Sequence, residues 1–189
     1  MKKVLITGGG GNLGRVINRY LSAKHDVTIF DLNTNNEFYP LNSGDVMKRR
    51  DLRQALEGQN IVVHLAAIDA DVPATDEDFM RVNVMGTWNV FEEATFANIS
   101  KIIFISSVAV YGIGAGAPPL YLPIDEQHPL NPKSSYGLSK LLGENIAKRF
   151  ASASDVSVIC FRAPYIIHET EALAINKHSQ NIDKARMSK

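Results

Sequence analysis

The stretch from Lys3 to Val16 constrains this chain more than any other. Lys3-Val4-Leu5-Ile6-Thr7 is a β-branched apolar run, Gly8-Gly9-Gly10-Gly11 breaks it, and Asn12-Leu13-Gly14-Arg15-Val16 opens a helical pattern carried by Leu13, Val16, Ile17, Tyr20 and Leu21. A buried strand, a glycine turn and a helix in that order serve one purpose well. Lacking side chains, Gly8 and Gly11 let backbone N–H groups close on an anion. Gly14 lets the helix lie tightly against the strand, and the helix N-terminus, at Asn12 and Leu13, turns its partial positive charge to the same place. An acidic residue, Asp31, ends a second apolar run about 20 residues further on, where a carboxylate can accept hydrogen bonds from a ribose. Together these features predict a dinucleotide site. The alternative is a flexible glycine loop that binds nothing.

The rest of the chain repeats the theme. Apolar runs at Lys3–Thr7, Val27–Asp31, Ile61–Leu65, Lys101–Ser106 and Val156–Phe161 alternate with helical patterns near Leu13–Ala23, Lys48–Glu57, Asp78–Ala97 and Ser135–Ala151. Near-continuous apolar strands fit a parallel sheet covered on both faces. The alternation predicts a doubly wound α/β/α sandwich, with ligands at the carboxyl ends of the strands. Length suits one domain, residues 1–168, followed by a polar tail at 169–189. The segment Gly112–Ser134, rich in glycine and proline, is long for a connection. It reads as a substrate lid or as a mobile surface excursion.

With 20 basic and 20 acidic residues the formal charge is zero, so no general attraction to nucleic acid or an anionic membrane is expected. No run approaches the roughly 20 apolar residues of a membrane span. The chain enters a strand almost at once, which argues against a signal peptide and for the cytoplasm. The lone cysteine, Cys160, lies in an apolar run and is expected to be a core filler. It fits a reducing compartment.

Tyr136 and Lys140, four apart at a helix start, share a face. A phenol needs its pKa of about 10 lowered by about 3 units to act as a base near neutrality. A lysine ammonium about 6 Å away supplies roughly 3 kcal/mol of that at an effective dielectric near 20. The positive charge of an oxidised nicotinamide would add to it. A surface pair on a helix is the bland alternative. Ser106 and Ser107 end the fourth strand, where a hydroxyl can hold a substrate oxygen or merely cap a turn. The charge of Asp31 would repel a 2′-phosphate, favouring NAD over NADP. Arg15 is the competing signal, either reaching a phosphate or lying solvated. Asp45 can accept from an adenine amino group or cap the next helix. His64 reads as a hydrogen-bonded core histidine, because no Cys/His/carboxylate cluster has metal-ligand spacing. Asp69, Asp71, Asp76, Glu77 and Asp78 read as a solvated acidic loop that caps the following helix.

Six elements in order resemble the extended short-chain dehydrogenase/reductase family, in its NAD-dependent epimerase/dehydratase branch. They are Thr7-Gly8-Gly9-Gly10-Gly11-Asn12-Leu13-Gly14, Gly44-Asp45-Val46, His64-Leu65-Ala66-Ala67, Asn83-Val84-Met85-Gly86-Thr87, Ser106-Ser107-Val108-Ala109-Val110-Tyr111-Gly112 and Ser135-Tyr136-Gly137-Leu138-Ser139-Lys140. The resemblance implies a Rossmann-like fold. It also implies an NAD site that includes Asp45, Val46, Leu65, Ala66, Ala67, Asn83 and Ser106, with Tyr136 and Lys140 on its edge. Ser107, Tyr136 and Lys140 are the implied catalytic residues, with Tyr136 exchanging a proton with a sugar or nucleotide-sugar hydroxyl. A homodimer through helices 78–97 and 135–151 is implied as well, with Trp88, Phe91 and Phe96 as candidate anchors. Phe161-Arg162-Ala163-Pro164-Tyr165 resembles the strand end from which family members enter a substrate domain. Most of that domain has no counterpart here. A non-catalytic NAD-binding module, or a truncated member without turnover, is therefore the alternative reading.

Overall fold

The computed structural model describes residues 1–32, 41–113 and 118–166. The tail expected at 169–189 lies outside them. Six parallel strands form one sheet: β1 (Lys3–Thr7), β2 (Asp26–Asp31), β3 (Leu41–Ser43), β4 (Ile61–His64), β5 (Lys101–Ser107) and β6 (Ser157–Ala163). Their order is β3-β2-β1-β4-β5-β6. The chain therefore starts in the middle of the sheet and winds outward both ways. The crevice at the switch point opens beyond the carboxyl ends of β1 and β4. β3, only three residues long, has no counterpart among the expected strands, because so short a run carries no periodicity to read.

The helices are α1 (Asn12–Leu21), α2 (Arg49–Leu56), α3 (Asp76–Asp78), α4 (Thr87–Phe96) and α5 (Ser135–Ala153). The single helix expected over Asp78–Ala97 is present as one continuous helical run from Asp76 to Phe96, and its middle, Phe79–Gly86, is wound as a π-helix between α3 and α4. There Thr87 donates its hydroxyl to the Asn83 carbonyl at 2.5 Å, and a Cβ on Gly86 would come within 2.8 Å of Val46. Thr75, not one of the acids, caps α3. Its side chain accepts from the Asp78 N–H while the Asp78 carboxylate accepts from the Thr75 N–H.

The two faces of the sheet are covered unequally. Leu5, Phe30, Val62, Ile102 and Phe104 are buried under Leu52, Leu56, Val90, Phe91, Ala94, Ile146 and Ala147 of α2, α4 and α5. Each of these side chains other than the two alanines contributes roughly 1.5–3 kcal/mol. On the opposite face Val4, Ile6 and Val63 pack with Ile17 and Leu21 of α1, but among the described residues no helix covers β6. Ile159 is 39% and Phe161 53% exposed. Cys160 is exposed too, which corrects its reading as a core filler. Its apolar run is an edge strand, not a central one. Phe91 is fully buried, edge-on to Phe104 and tilted against Phe150, so it is no interface anchor. Trp88 packs edge-on against Phe150, and Phe96 is exposed.

Candidate active site

A cleft of about 1260 Å³ runs across the carboxyl ends of the strands. That exceeds the roughly 300–1,000 Å³ of a site for one drug-sized molecule. Every residue expected at the site lines it except one: Gly8, Gly11, Asn12, Leu13, Gly14, Asp31, Asp45, Val46, Leu65, Ala66, Ala67, Ser106, Ser107, Tyr136 and Lys140 all do. Asn83 does not. It is buried, accepts from the Ile68 N–H at 2.7 Å, and donates to the Ile68 carbonyl and Ser139 Oγ at 3.0 Å each. Asn83 thereby ties the loop after β4 to α5.

The glycine turn separates into packing and opening positions. Gly8 has φ +71°, and a Cβ on it would meet the Ala66 N at 2.6 Å. Gly14 presses on the Gly9 backbone, where a Cβ would approach to 2.5 Å. The chain's own contacts thus already require glycine at position 8, which also lines the cleft. Gly11 differs: a Cβ there would meet nothing closer than the Gly8 carbonyl oxygen at 3.4 Å. It faces the cleft beside the first turn of α1, which no side chain caps. A backbone cradle beside an uncapped helix N-terminus suits a pyrophosphate.

Asp31 accepts from the Gly10 N–H at 2.8 Å, so it braces the turn as well as lining the cleft. Arg15 donates to the Gly10 carbonyl at 3.0 Å, which holds its guanidinium on the turn. Asp45 accepts from the Met47 N–H at 2.9 Å, closing a turn ahead of α2 while still facing the cleft.

The opposite wall is made by docking α5 on the sheet. Ser134 caps the helix by accepting from the Gly137 N–H. Gly137 lies against the Ala109 carbonyl, where a Cβ would come to 2.7 Å, and Gly143 lies flat on the Phe104 ring. These two glycines set Tyr136 and Lys140 beside the end of β5, and neither stands out in the sequence. Lys140 is buried, its Nζ donating to the Ile105 carbonyl at 3.0 Å and lying 5.7 Å from the centre of the Tyr136 ring. Burial lowers its pKa to about 8, with Asp69 opposing. Tyr136 goes the other way from the expected depression. Burial first, then the charge of Asp69, raise it to about 12; interaction with the Ser107 hydroxyl opposes this, and Asp71 adds to it. The chain's own groups therefore keep the phenol protonated at neutral pH. The expectation omitted burial and the two carboxylates.

His64 is the core histidine expected. Its Nδ1 lies 2.7 Å from Thr7 Oγ1 and its Nε2 2.9 Å from Thr87 Oγ1. Thr87 uses its proton on the Asn83 carbonyl, so His64 carries its proton on Nε2 and accepts from Thr7. Burial lowers its pKa to about 3.

A buried network beneath the serines was not foreseen. Ser106 donates to Glu144 at 2.7 Å. Arg162 meets both Glu144 oxygens at 2.9 and 2.8 Å and donates to the Tyr111 hydroxyl at 2.7 Å, which donates to the Asp125 carbonyl at 3.2 Å. The available signals were an arginine inside an apolar strand and a glutamate one turn beyond Lys140. The network helps anchor the 118–134 segment. Of the described residues in 112–134 only Ile113 and Ser134 line the cleft. The described part of that segment is thus a side support, not the lid expected.

Residues 4–174 match the model of the NAD dependent epimerase/dehydratase family. The chain belongs to that family. It is 34% identical to an L-arabinose 1-dehydrogenase (NAD(P)(+)) of Haloferax volcanii over 90% of this chain and 70% of that one. It is 35% identical to a putative UDP-glucose 4-epimerase of Methanocaldococcus jannaschii over 78% of this chain and 50% of that one. A short-chain dehydrogenase/reductase superfamily protein from Agrobacterium tumefaciens, solved with bound NAD, superposes with a TM-score of 0.78 at 32% identity, covering 85% of this chain and 48% of that one. This chain therefore spans about half the length of the latter two. Among the described residues no group of three or more His, Cys, Asp or Glu is arranged to hold a metal ion, and no helix is long and apolar enough to cross a membrane.

Proposed function

We propose that this chain binds NAD along the cleft and carries the acid–base half of an NAD-dependent oxidation or epimerisation of a sugar-type hydroxyl. The observation that carries this reading is the meeting of Ser107, Tyr136 and Lys140 on one wall of the cleft whose other wall is the Gly11 cradle. Gly11, Asn12 and Leu13 would hold the pyrophosphate, Asp31 the adenosine ribose, and Lys140 the nicotinamide ribose. NAD, when bound, would supply the hydride acceptor and the positive charge of its oxidised ring.

The protein's part is proton management. Ser107 holds the reacting oxygen. Tyr136 donates its phenolic proton to that oxygen as an alcohol forms, or takes one as a carbonyl forms. Held at about 12, the phenol keeps its proton at neutral pH and so is present in the donor form, though as a weaker acid than a free tyrosine. It becomes a base only when positive charge beside it outweighs its burial and the carboxylates. The raised pKa of the phenol favours a second reading, an NAD-binding module without turnover. A homodimer through helices 78–97 and 135–151 belongs to the proposal too, resting on family likeness and the partly exposed Met85 and Leu138.

The test is NADH absorbance during incubation with NAD and a panel of sugars and nucleotide-sugars, beside calorimetric titration with NAD and NADP. The proposal expects NAD binding, preference for NAD over NADP, and turnover that Tyr136→Phe removes. Binding without turnover on any substrate leaves the module.

A further inference from the structure

The wall beyond Tyr136 carries two carboxylates that the acid–base reading does not use. Asp69 and Asp71 follow β4 and line the cleft. Their turn is fixed: Asp69 Oδ1 accepts from the Ala70 N–H at 2.7 Å, and its carbonyl accepts from the Val72 N–H at 3.1 Å. Both residues are exposed, and among the described residues neither forms an ion pair. Two cations line the same cleft among the described residues, and both are engaged. Arg81 is bound to Asp78 at 3.0 Å, and Lys140 is buried with its Nζ on the Ile105 carbonyl.

We infer that this end of the cleft selects an uncharged polyhydroxy compound, such as a free neutral sugar, and that Asp69 and Asp71 discriminate against substrates carrying phosphate or carboxylate near the reacting carbon. The inference rests on the function proposed above and narrows its substrate class. Carboxylate oxygens accept hydrogen bonds from sugar hydroxyls, whereas an anionic group there would meet two like charges and, among the described residues, only cations that already have partners. Both carboxylates act on the Tyr136 phenol, so their field reaches the reacting position. At roughly 8 Å and an effective dielectric of about 40, each like charge weakens anion binding about fivefold.

The probes are D-glucose, glucose 6-phosphate and glucuronate, with binding to the full chain read by saturation-transfer NMR at low and high salt. Glucose is expected to bind more tightly than either anion. In Asp69→Asn/Asp71→Asn the ratio of anion to glucose affinity is expected to rise about 25-fold, less so at high salt. Tighter binding of the anions by the unaltered protein overturns the inference. So does an unchanged ratio in the double variant, and so does binding of neither class. NAD titration of the same samples separates the two levels. Coenzyme binding with the wrong sugar ranking sinks the substrate class alone, and failure to bind coenzyme sinks the function beneath it.

Discussion

On the glycine side of the cleft, backbone presses on backbone. Gly8 sits against Ala66 and Gly14 against Gly9, each closer than any side chain would allow. On the Tyr136 side the residues are placed as firmly, but what they can do depends on charge. Burial, Asp69 and Asp71 push the phenol up, while burial pulls Lys140 down. One wall is a steric object whose role follows from shape. The other is an electrostatic object whose role shifts with pH, salt and ligand. A substitution on the first should act on binding and stability, and one on the second on rate and pH dependence.

The sharpest way to break that contrast is Tyr136→Phe. It is expected to lower turnover by about 10²–10⁴-fold, the range for loss of a general acid–base group, with NAD affinity changed less than about threefold by calorimetry. A comparable loss of NAD affinity would show that the Tyr136 wall is steric after all. Next is Glu144→Ala, which strands Arg162 and removes the acceptor of Ser106. Breaking a buried pair in this way is expected to cost about 3–5 kcal/mol in urea unfolding, with Glu144→Gln milder.

Acid sharpens the contrast from a site that belongs to the core. The pKa of His64 is about 3 in the folded protein against 6.5 for the unperturbed side chain. Between those values the unfolded chain binds a proton that the folded one does not. Stability is therefore full above pH 6.5 and falls as pH drops toward 3, by about 1.4 kcal/mol per pH unit. Urea unfolding across that window, with the neutral Nε2–H tautomer followed by NMR, checks both halves of the statement.

The two walls were also unequally legible. The strand–glycine–helix run announced its own geometry, because a four-glycine turn after a β-branched run has few other uses. The parallel sheet and its cleft followed from alternation. That Ser107, Tyr136 and Lys140 would meet on the cleft was readable from spacing and family likeness. Their protonation was not, because it depends on burial and on Asp69 and Asp71, which reach the phenol only in three dimensions. The buried tie that Asn83 makes was hidden for a related reason: its amide meets Ile68 and Ser139, partners that the sequence does not bring together. Cys160 and Phe161 read as interior because an apolar run does not say whether its strand lies at the sheet's edge.

Gly11 is where the steric wall can be tested apart from its own packing. The chain leaves room for a Cβ there, with the Gly8 oxygen at 3.4 Å as its nearest neighbour, and the backbone at φ −72° suits any residue. Gly11→Ala is therefore expected to cost under about 1 kcal/mol of stability, the scale of a weak helix cap. Calorimetric titration with NAD, run beside urea unfolding on the natural protein and Gly11→Ala, is the most direct measurement. The cradle account expects saturable binding by the natural protein and at least a tenfold weakening, about 1.4 kcal/mol, in a variant that remains folded. Equal affinity in the two proteins, or no binding by either, would contradict it.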